Sequence, residues 1–406
     1  MIIEILQFIY LLTRGYFYYL PIHLLVFVIF PLVIRHFKAK KYNSNVYENN
    51  LYVKYSNSDP PLNRGYKISV IVPVHNEDPN VFEECMRSIS ANKPDEIVVV
   101  QDDNREDIRQ IAEKYRAKVI SLSERVGKRK ALAIGWEIAS GEIIIHVDSD
   151  TILHENAIDN IIQPFRDKSV VGVQGKVLIK PSKSWLSTLM SDIIELNRDL
   201  NNKALNGHLV VVDGRFNAWR RGFLLSVKDE FLNEKFLGRK CEIGDDRFLT
   251  YKANLMGYKT CYQEKALAES VAPSSLKKFL RQQLRWGRSG YKAFFKDIYS
   301  GLVMKVSLTY NILQFTYYLA PLSFTIALIH DTLFTIPVVK IPVYAVIPIA
   351  IIGSSTIALI RRLAVGVRRF TFKEFIVMGF FGLFISYPLM LYALLTIHKQ
   401  SSWLTR

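Results

Sequence analysis

Four apolar stretches bracket one long block of mixed polarity, and no single globular core accommodates both kinds of segment. Gly15–Ile34, Val306–Ile329, Ile341–Ile360 and Phe375–Ile397 each approach the ~20 apolar residues that cross a bilayer core. A buried core helix is the alternative for each. The third stretch carries Pro342, Pro348 and Gly353 and also fits a re-entrant hairpin. A cleaved signal peptide fits the first stretch poorly, because Glu4 precedes it and the basic residues follow it.

Orientation follows from the flanks. Arg35, Lys38, Lys40 and Lys41 follow the first stretch, and Arg361, Arg362, Arg368, Arg369 and Lys373 separate the third from the fourth. Short segments rich in Lys and Arg stay in the cytoplasm. The expectation is a multi-pass protein of the cell membrane, with residues 35–305 cytoplasmic and both termini outside. The segments are then 1–35, an N-terminal transmembrane helix; 36–65, a polar linker; 66–275, a cytosolic domain; 276–300, an amphipathic interface helix; and 301–406, a C-terminal transmembrane region.

The net charge of +16 over 406 residues suits anionic lipid headgroups or a phosphorylated substrate. Charge alone does not separate these from nucleic acid, and no nucleic-acid partner is expected. Cys85, Cys241 and Cys261 show no metal-type spacing and read as unpaired thiols.

Within the cytosolic block, short β-branched runs alternate with amphipathic stretches. Lys67–Val72, Glu96–Val100, Lys118–Leu122 and Glu142–Val147 read as strands, with helices such as Val81–Ala91 and Asp107–Tyr115 between them. That alternation predicts an α/β domain with a parallel sheet and helices on both faces. Each strand ends in a polar cluster, and ligands bind at the carboxyl ends of such strands. No GxGxxG or GxxxxGK[ST] element is present, which lowers dinucleotide and P-loop readings.

The clusters carry the chemistry. Asp148 and Asp150 flank Ser149 at a strand end, and two carboxylates there make a hard oxygen site for Mg²⁺ or Mn²⁺ shared with a diphosphate. An acidic turn uses the same residues. Asp102 and Asp103 can accept hydrogen bonds from a nucleotide base or ribose, or open a helix as an Asx turn. Gly127 through Lys130 begins a helix; Lys128 or Arg129 there can stabilise phosphate charge, or form a solvated basic turn. Asp246, in Gly244-Asp245-Asp246-Arg247, is the candidate general base, and its neighbour's charge raises its pKa if the pair is buried. Gln282, Arg285 and Trp286 share one helical face, suited to a diphosphate clamp and a sugar stack; a plain juxtamembrane basic helix is the alternative.

In order, these residues resemble the processive family 2 glycosyltransferases, especially hyaluronan, cellulose and chitin-oligosaccharide synthases. The motifs that carry the resemblance are Pro73-Val74-His75-Asn76-Glu77, Asp102-Asp103, Asp148-Ser149-Asp150, Gly244-Asp245-Asp246 and Gln282-Gln283-Leu284-Arg285-Trp286. It implies a GT-A (Rossmann-like) domain and inverting transfer from a UDP-sugar to a glycan or lipid acceptor. It also implies donor contacts from Pro73, His75, Glu77, Asp102, Asp103, Asp148 and Asp245, metal binding by Asp148 and Asp150, and Asp246 as base. Arg285 and Trp286 would gate the diphosphate and acceptor. One departure concerns the acceptor loop, here Asp213 to Arg221, where Trp219-Arg220 stands in place of the family's Tyr-Arg. Four spans are fewer than in hyaluronan synthases; a smaller pore, a dimeric pore or no pore would each fit.

The leading functional expectation is a synthase that elongates and exports a polysaccharide. The alternative is a single-addition enzyme that glycosylates a lipid, in the manner of ceramide glucosyltransferases. A non-catalytic carrier with a degenerate transferase domain predicts lost carboxylates, whereas all are present.

Overall fold

The computed structural model describes residues 19–42, 65–335 and 371–399, with positions 348, 351–356, 358, 359 and 363. Most of the predicted linker, most of the third apolar stretch and the basic cluster of Arg361 to Arg369 lie outside the described residues. The chain divides into two compact units, Met1–Lys40 with Leu308–Thr396, and Lys41–Ser307 with Ile397–Arg406.

The described residues of the first unit are helical. Tyr19–His23, Leu24–Ile29 and Phe30–Lys40 run on as one helix with a π-helical middle. Two further helices, Leu308–Leu333 and Phe372–Leu395, are long and apolar enough to cross a membrane. His23 meets Ser323 at 3.0 Å and lies against Phe324 and Tyr387.

The second unit is built on strands β1 (Ile68–Val74), β2 (Glu96–Gln101), β3 (Lys118–Ser121), β4 (Ile143–Val147), β5 (Thr151–Leu153), β6 (Val170–Lys180), β7 (Phe216–Arg220), β8 (Lys235–Phe236), β9 (Arg239–Lys240) and β10 (Lys259–Val271). Its helices are α1 (Pro79–Ala91), α2 (Glu106–Lys114), α3 (Gly127–Ile138), α4 (Ala157–Ile162), α5 (Trp185–Ala204), α6 (Arg221–Ser226), α7 (Lys228–Leu232), α8 (Asp245–Leu255) and α9 (Leu276–Tyr299). Eight strands form one sheet in the order β3-β2-β1-β4-β7-β6-β10-β5.

The sheet is mixed, which corrects the parallel sheet expected from the first four strands. β1 to β4 are parallel, because α1, α2 and α3 return the chain over the sheet between successive strands. β7 enters between β4 and β6 from a loop and runs antiparallel to both. β6 and β10 are parallel to each other, and β5 is reversed at the edge. Six of the eight strands therefore point the same way.

Side chains alternate across the central strands and supply two cores. On one face Ile68, Val70 and Val72 pack with Phe82, Met86 and Ile89 of α1. On the other face Ile71, Val98 and Val100 pack with Leu132 and Trp136 of α3 and with Phe231. Burial on both faces explains why these strands read as near-continuous Val/Ile runs. Trp219 belongs to the second core, fully buried, with its ring over Phe223. Gly172 makes room for it: a Cβ there would lie 2.4 Å from the indole.

Trp219→Ala should therefore destabilise the unit by about 3–5 kcal/mol, as other buried aromatics do. Thermal unfolding of the purified chain reads this. A normal melting temperature would remove Trp219 from the core.

Candidate active site

The sheet directs the ends of β1, β2 and β4 and the start of β7 to one rim, since Val147 of β4 pairs with Phe216 of β7. At this rim the β1 and β2 clusters interlock. His75 Nδ1 meets Asp102 Oδ1 at 2.8 Å, and the Asn76 amide donates to Asp103 Oδ2 at 2.6 Å. Pro73 lies within β1 opposite Val100. Glu77 accepts from the Ser149 hydroxyl at 2.6 Å, so Ser149 turns inward and ties the first loop to the Asp148–Asp150 turn.

Asp102 is engaged inside the protein. Its Oδ2 accepts the Val126 and Gly127 amides at 3.1 and 3.0 Å, and the residue is buried. The amino end of α3, predicted to hold a substrate anion, is thus neutralised by the chain's own carboxylate. Asp103 differs: its Oδ1 is buried and has no hydrogen-bond partner among the described residues. An orphaned acceptor of this kind is suited to a nucleoside N–H or O–H donor.

Two motifs about a hundred residues apart meet on one ammonium group. Lys128 Nζ lies 2.5 Å from Asp148 Oδ1 and 3.8 Å from Asp245 Oδ2. Burial opposes the Lys128 charge, but Asp148 and Asp245 hold its pKa above the ordinary lysine value. Gly214 sits over this contact, a Cβ there reaching 3.3 Å from Lys128 Nζ.

Asp245 and Asp246 open α8 behind Gly244, whose φ of 79° is left-handed. A Cβ on Gly244 would also strike the Ser289 hydroxyl at 2.1 Å, so α9 packs directly on this turn. The two carboxylates separate in acidity. Asp246 is raised, by burial and by Asp245. Burial also opposes the Asp245 charge, but Lys128, Arg129 and Arg285 hold it down. Asp246 is therefore the weaker acid of the pair, and its Oδ1 accepts the Arg247 amide at 2.8 Å.

Arg129 is engaged inside the protein, donating to Phe231 O at 2.8 Å, Glu234 Oε2 at 2.6 Å and Gly244 O at 3.1 Å. Trp219 is buried in the core and Arg220 lies at the far end of β7 from the Asp148 turn. β7 runs antiparallel to β4, so Arg220 pairs with Ile143 at the opposite rim and bonds Val170 O and Phe165 O. It is the other end of the same segment that reaches the site. Arg215 donates to Asp213 and to Glu195, and Arg198 pairs with Asp213 and Glu195. The Trp286 ring lies 5.3 and 5.9 Å from the Arg198 and Arg215 guanidinium carbons. Gln282 and Trp286 line a small cleft with Glu195 and Arg215.

Sequence reasoning missed Glu234. This buried carboxylate accepts from Arg129 of α3, and from Lys292 and Lys296 of α9 at 3.0 and 2.8 Å. Lys292 and Arg129 both reach the carbonyl of Ile243 as well. Glu234 therefore positions the Gly244–Asp246 turn between the Lys128 helix and the Arg285–Trp286 helix. A signal existed: Arg285, Ser289, Lys292 and Lys296 recur at i, i+4, i+7 and i+11, one helical face.

Asp148 and Asp150, on the turn between β4 and β5, are the two carboxylates that could hold a divalent cation. Asp148 is partly exposed and already accepts a cation in Lys128, so hard cationic charge fits there. Among the described residues no cluster of three or more His, Cys, Asp or Glu is placed to hold a metal. Two carboxylates would then share the ion with diphosphate oxygens.

Burial opposes the Glu234 charge, but Lys292, Arg129 and Lys296 hold its pKa down to about 2, from 4.5. A depressed acid stabilises the fold above its unfolded pKa and loses that contribution as pH falls through its folded pKa. Wild-type unfolding free energy should therefore drop between pH 4.5 and about 2. Glu234→Gln should flatten that segment and lower neutral stability by about 3–5 kcal/mol. A variant with the wild-type pH profile would dismiss the network.

Known proteins place these observations. Residues 65–289 match the family described as glycosyltransferase like family 2. An N-acetylglucosaminyltransferase of Azorhizobium caulinodans is 32% identical, over 84% of this chain and 87% of its own. A hyaluronan synthase of Streptococcus pyogenes serotype M1 is 28% identical, over 84% and 83%. Among solved structures, a mannosyltransferase from Pyrobaculum calidifontis, in complex with GDP-Man and Mn²⁺, superposes with a TM-score of 0.55 at 18% identity, covering 87% of this chain and 97% of its own. The mixed sheet is thus of the GT-A-like kind.

Proposed function

The chain belongs to the glycosyltransferase-like family 2, and from that premise we propose a membrane-bound inverting enzyme that uses a UDP-sugar to elongate and export a polysaccharide. The observation that carries this reading is the meeting of Asp148 and Asp245 on Lys128, which gathers leaving-group and base machinery at one point. The similarity to an N-acetylglucosaminyltransferase and a hyaluronan synthase over most of each chain supports a saccharide product. The two long apolar helices are only 39% and 17% buried over their most apolar stretches, which supports lipid contact. The basic flank Arg35 to Lys41 supports a cytoplasmic site.

In the proposed reaction Asp103 accepts a hydrogen bond from the nucleoside. Asp148 and Asp150 would hold a divalent cation, which would supply Lewis-acid stabilisation of the leaving diphosphate. Lys128 and Arg285 add positive charge beside the same phosphates. Asp246 takes the proton from an acceptor hydroxyl, whose oxygen attacks the anomeric carbon from the face opposite the diphosphate. The bond from that carbon to the diphosphate oxygen breaks, and UDP leaves with its electron pair. Trp286, backed by Arg198 and Arg215, offers the acceptor ring a stacking face.

Asp246→Asn should lower UDP release from a UDP-sugar by about 10²–10⁴-fold while leaving UDP affinity unchanged. Near-normal turnover in that variant would sink the base assignment. Because the base must be ionised, the wild-type rate should fall as pH drops through a pKa above the ordinary aspartate range, an acid limb readable in the pH profile of kcat. Asp150→Ala should make UDP titrations indifferent to Mn²⁺; a retained Mn²⁺ effect would move the metal elsewhere. Product sizing separates a polymer from a singly glycosylated lipid.

A further inference from the structure

The segment from Gly207 to Arg215 forms no strand beyond a single bridge at Gly207, so its buried backbone groups need other partners. Side chains supply them. The Leu209 amide donates to the Thr260 hydroxyl at 2.7 Å, and the Leu209 carbonyl accepts Asn254 Nδ2 at 2.9 Å. The Val212 amide donates to the Thr250 hydroxyl at 2.8 Å. Asp213 is held on both sides, its amide by Gln174 Oε1 at 3.3 Å and its carbonyl by Asn217 Nδ2 at 2.7 Å. All five of these side chains are buried.

Thr250 and Asn254 stand one turn apart on α8. Of the two, Thr250 reaches back to the turn at the start of that helix. Its hydroxyl donates to the Asp246 carbonyl at 2.7 Å while it accepts the Val212 amide. A Thr hydroxyl often bonds the carbonyl four residues back in a helix. The second bond leaves the helix and ties the main chain of Asp246 to another segment through one oxygen atom. Thr250 is fully buried, so no bulk water stands in for that oxygen.

The residues after Val212 belong to the rim. Asp213 pairs with Arg198 and Arg215, the two guanidinium groups behind Trp286. Gly214 lies directly against the aspartate turn: a Cβ there would be 3.5 Å from Asp245 Oδ2 and 3.7 Å from Asp246 Cβ. The Thr250 hydroxyl is thus a joint between the Asp246 turn and the support of Trp286.

We propose that Thr250 is a positioning residue for Asp246, its hydroxyl locking the base-bearing turn to the segment that carries Asp213 and Gly214. The base and the Trp286 side of the site are then set as one body. The proposal rests on the transferase reading for what Asp246 does, and on the two hydrogen bonds for how it is held.

The test uses the full chain in detergent. Donor-dependent UDP release gives kcat and KM, normalised to the protein that binds UDP, and hydrogen exchange is followed by mass spectrometry over residues 207–215 and 244–250. Thr250→Val keeps the side-chain shape and loses the hydroxyl. It should quicken exchange in both stretches and lower kcat by about 10- to 100-fold, the scale of a misplaced catalytic group, with KM and UDP affinity unchanged. Thr250→Ser restores the oxygen and should restore kcat. Asn254→Ala frees the same segment from α8 one turn away from the joint; it should lower the melting temperature and quicken exchange over 207–215 while kcat holds. Wild-type kcat in Thr250→Val, no recovery in Thr250→Ser, or an equal loss in Asn254→Ala would each overturn the proposal. If Thr250→Val binds no UDP, Thr250→Ala is judged by the same criteria, and loss of UDP binding in both makes Thr250 a folding residue and overturns the proposal. A wild type that releases no UDP from any donor refutes the transferase reading. Quickened exchange in both stretches of Thr250→Val then leaves the joint standing, and quickened exchange in one or neither removes it.

Discussion

Buried cations need matched anions, and the active rim is arranged around that requirement. Lys128 and Arg129 are neighbours at the start of α3, yet they serve different ends. Lys128 faces Asp148 and Asp245. Arg129 turns to Glu234, which also receives Lys292 and Lys296. Taking any one of these charges from its partners leaves an uncompensated ion in a low dielectric. The turn bearing Asp245 and Asp246 is therefore fixed relative to both α3 and α9, and Gly244 has no room for a side chain against Ser289. The split acidity of the aspartate pair is a product of this fixing. One carboxylate sits within reach of the cations, and the other sits beside the first.

Much of this rim was legible from residue types. Acidic clusters directly after β-branched runs placed Glu77, Asp102, Asp103 and Asp148 at strand ends, because side-chain period and strand length are local properties. The face of α9 bearing Gln282, Arg285 and Trp286 followed from helical spacing for the same reason. What local pattern does not carry is strand direction. The Arg215–Arg221 segment was noticed as unusual, but its Trp219-Arg220 end attracted the assignment. Only the antiparallel pairing of β7 with β4 shows that Arg215 stays at the rim while Arg220 leaves it. The partners of Arg129 fall in a comparable gap. A basic residue at a helix start reads as solvent-facing or phosphate-facing, and nothing near it in sequence announces Glu234.

The amides at the start of α3 have an occupant within the chain. The amides of Val126 and Gly127 are met by Asp102, which also orients His75. Asp102 thereby joins β2, the first loop and α3, while Asp103 keeps an open oxygen. Adjacent acidic residues have divided the labour between holding the site together and meeting a ligand. The same division recurs at Asp245 and Asp246.

The reversal of β7 has a further consequence for how such a chain can diversify. Six strands deliver their carboxyl ends to the active rim, and β7 delivers its amino end there instead. The segment from Gly207 to Arg215 that leads into it is held along its length: Gly207 exchanges backbone hydrogen bonds with Thr260 of β10, Leu209 and Val212 are buried, and Asp213 and Arg215 pair with Arg198 and Glu195 of α5. A change at Asp213 or Arg215 reaches the rim through those ion pairs, while pairing of β7 with β4 begins only at Phe216. Residues after Arg220 enjoy no such influence, being delivered to the far rim. For lineages built on this scaffold, that one approach to β7 is where the rim's ion pairs can be rewritten while the register of β7 against β4 stays as it is.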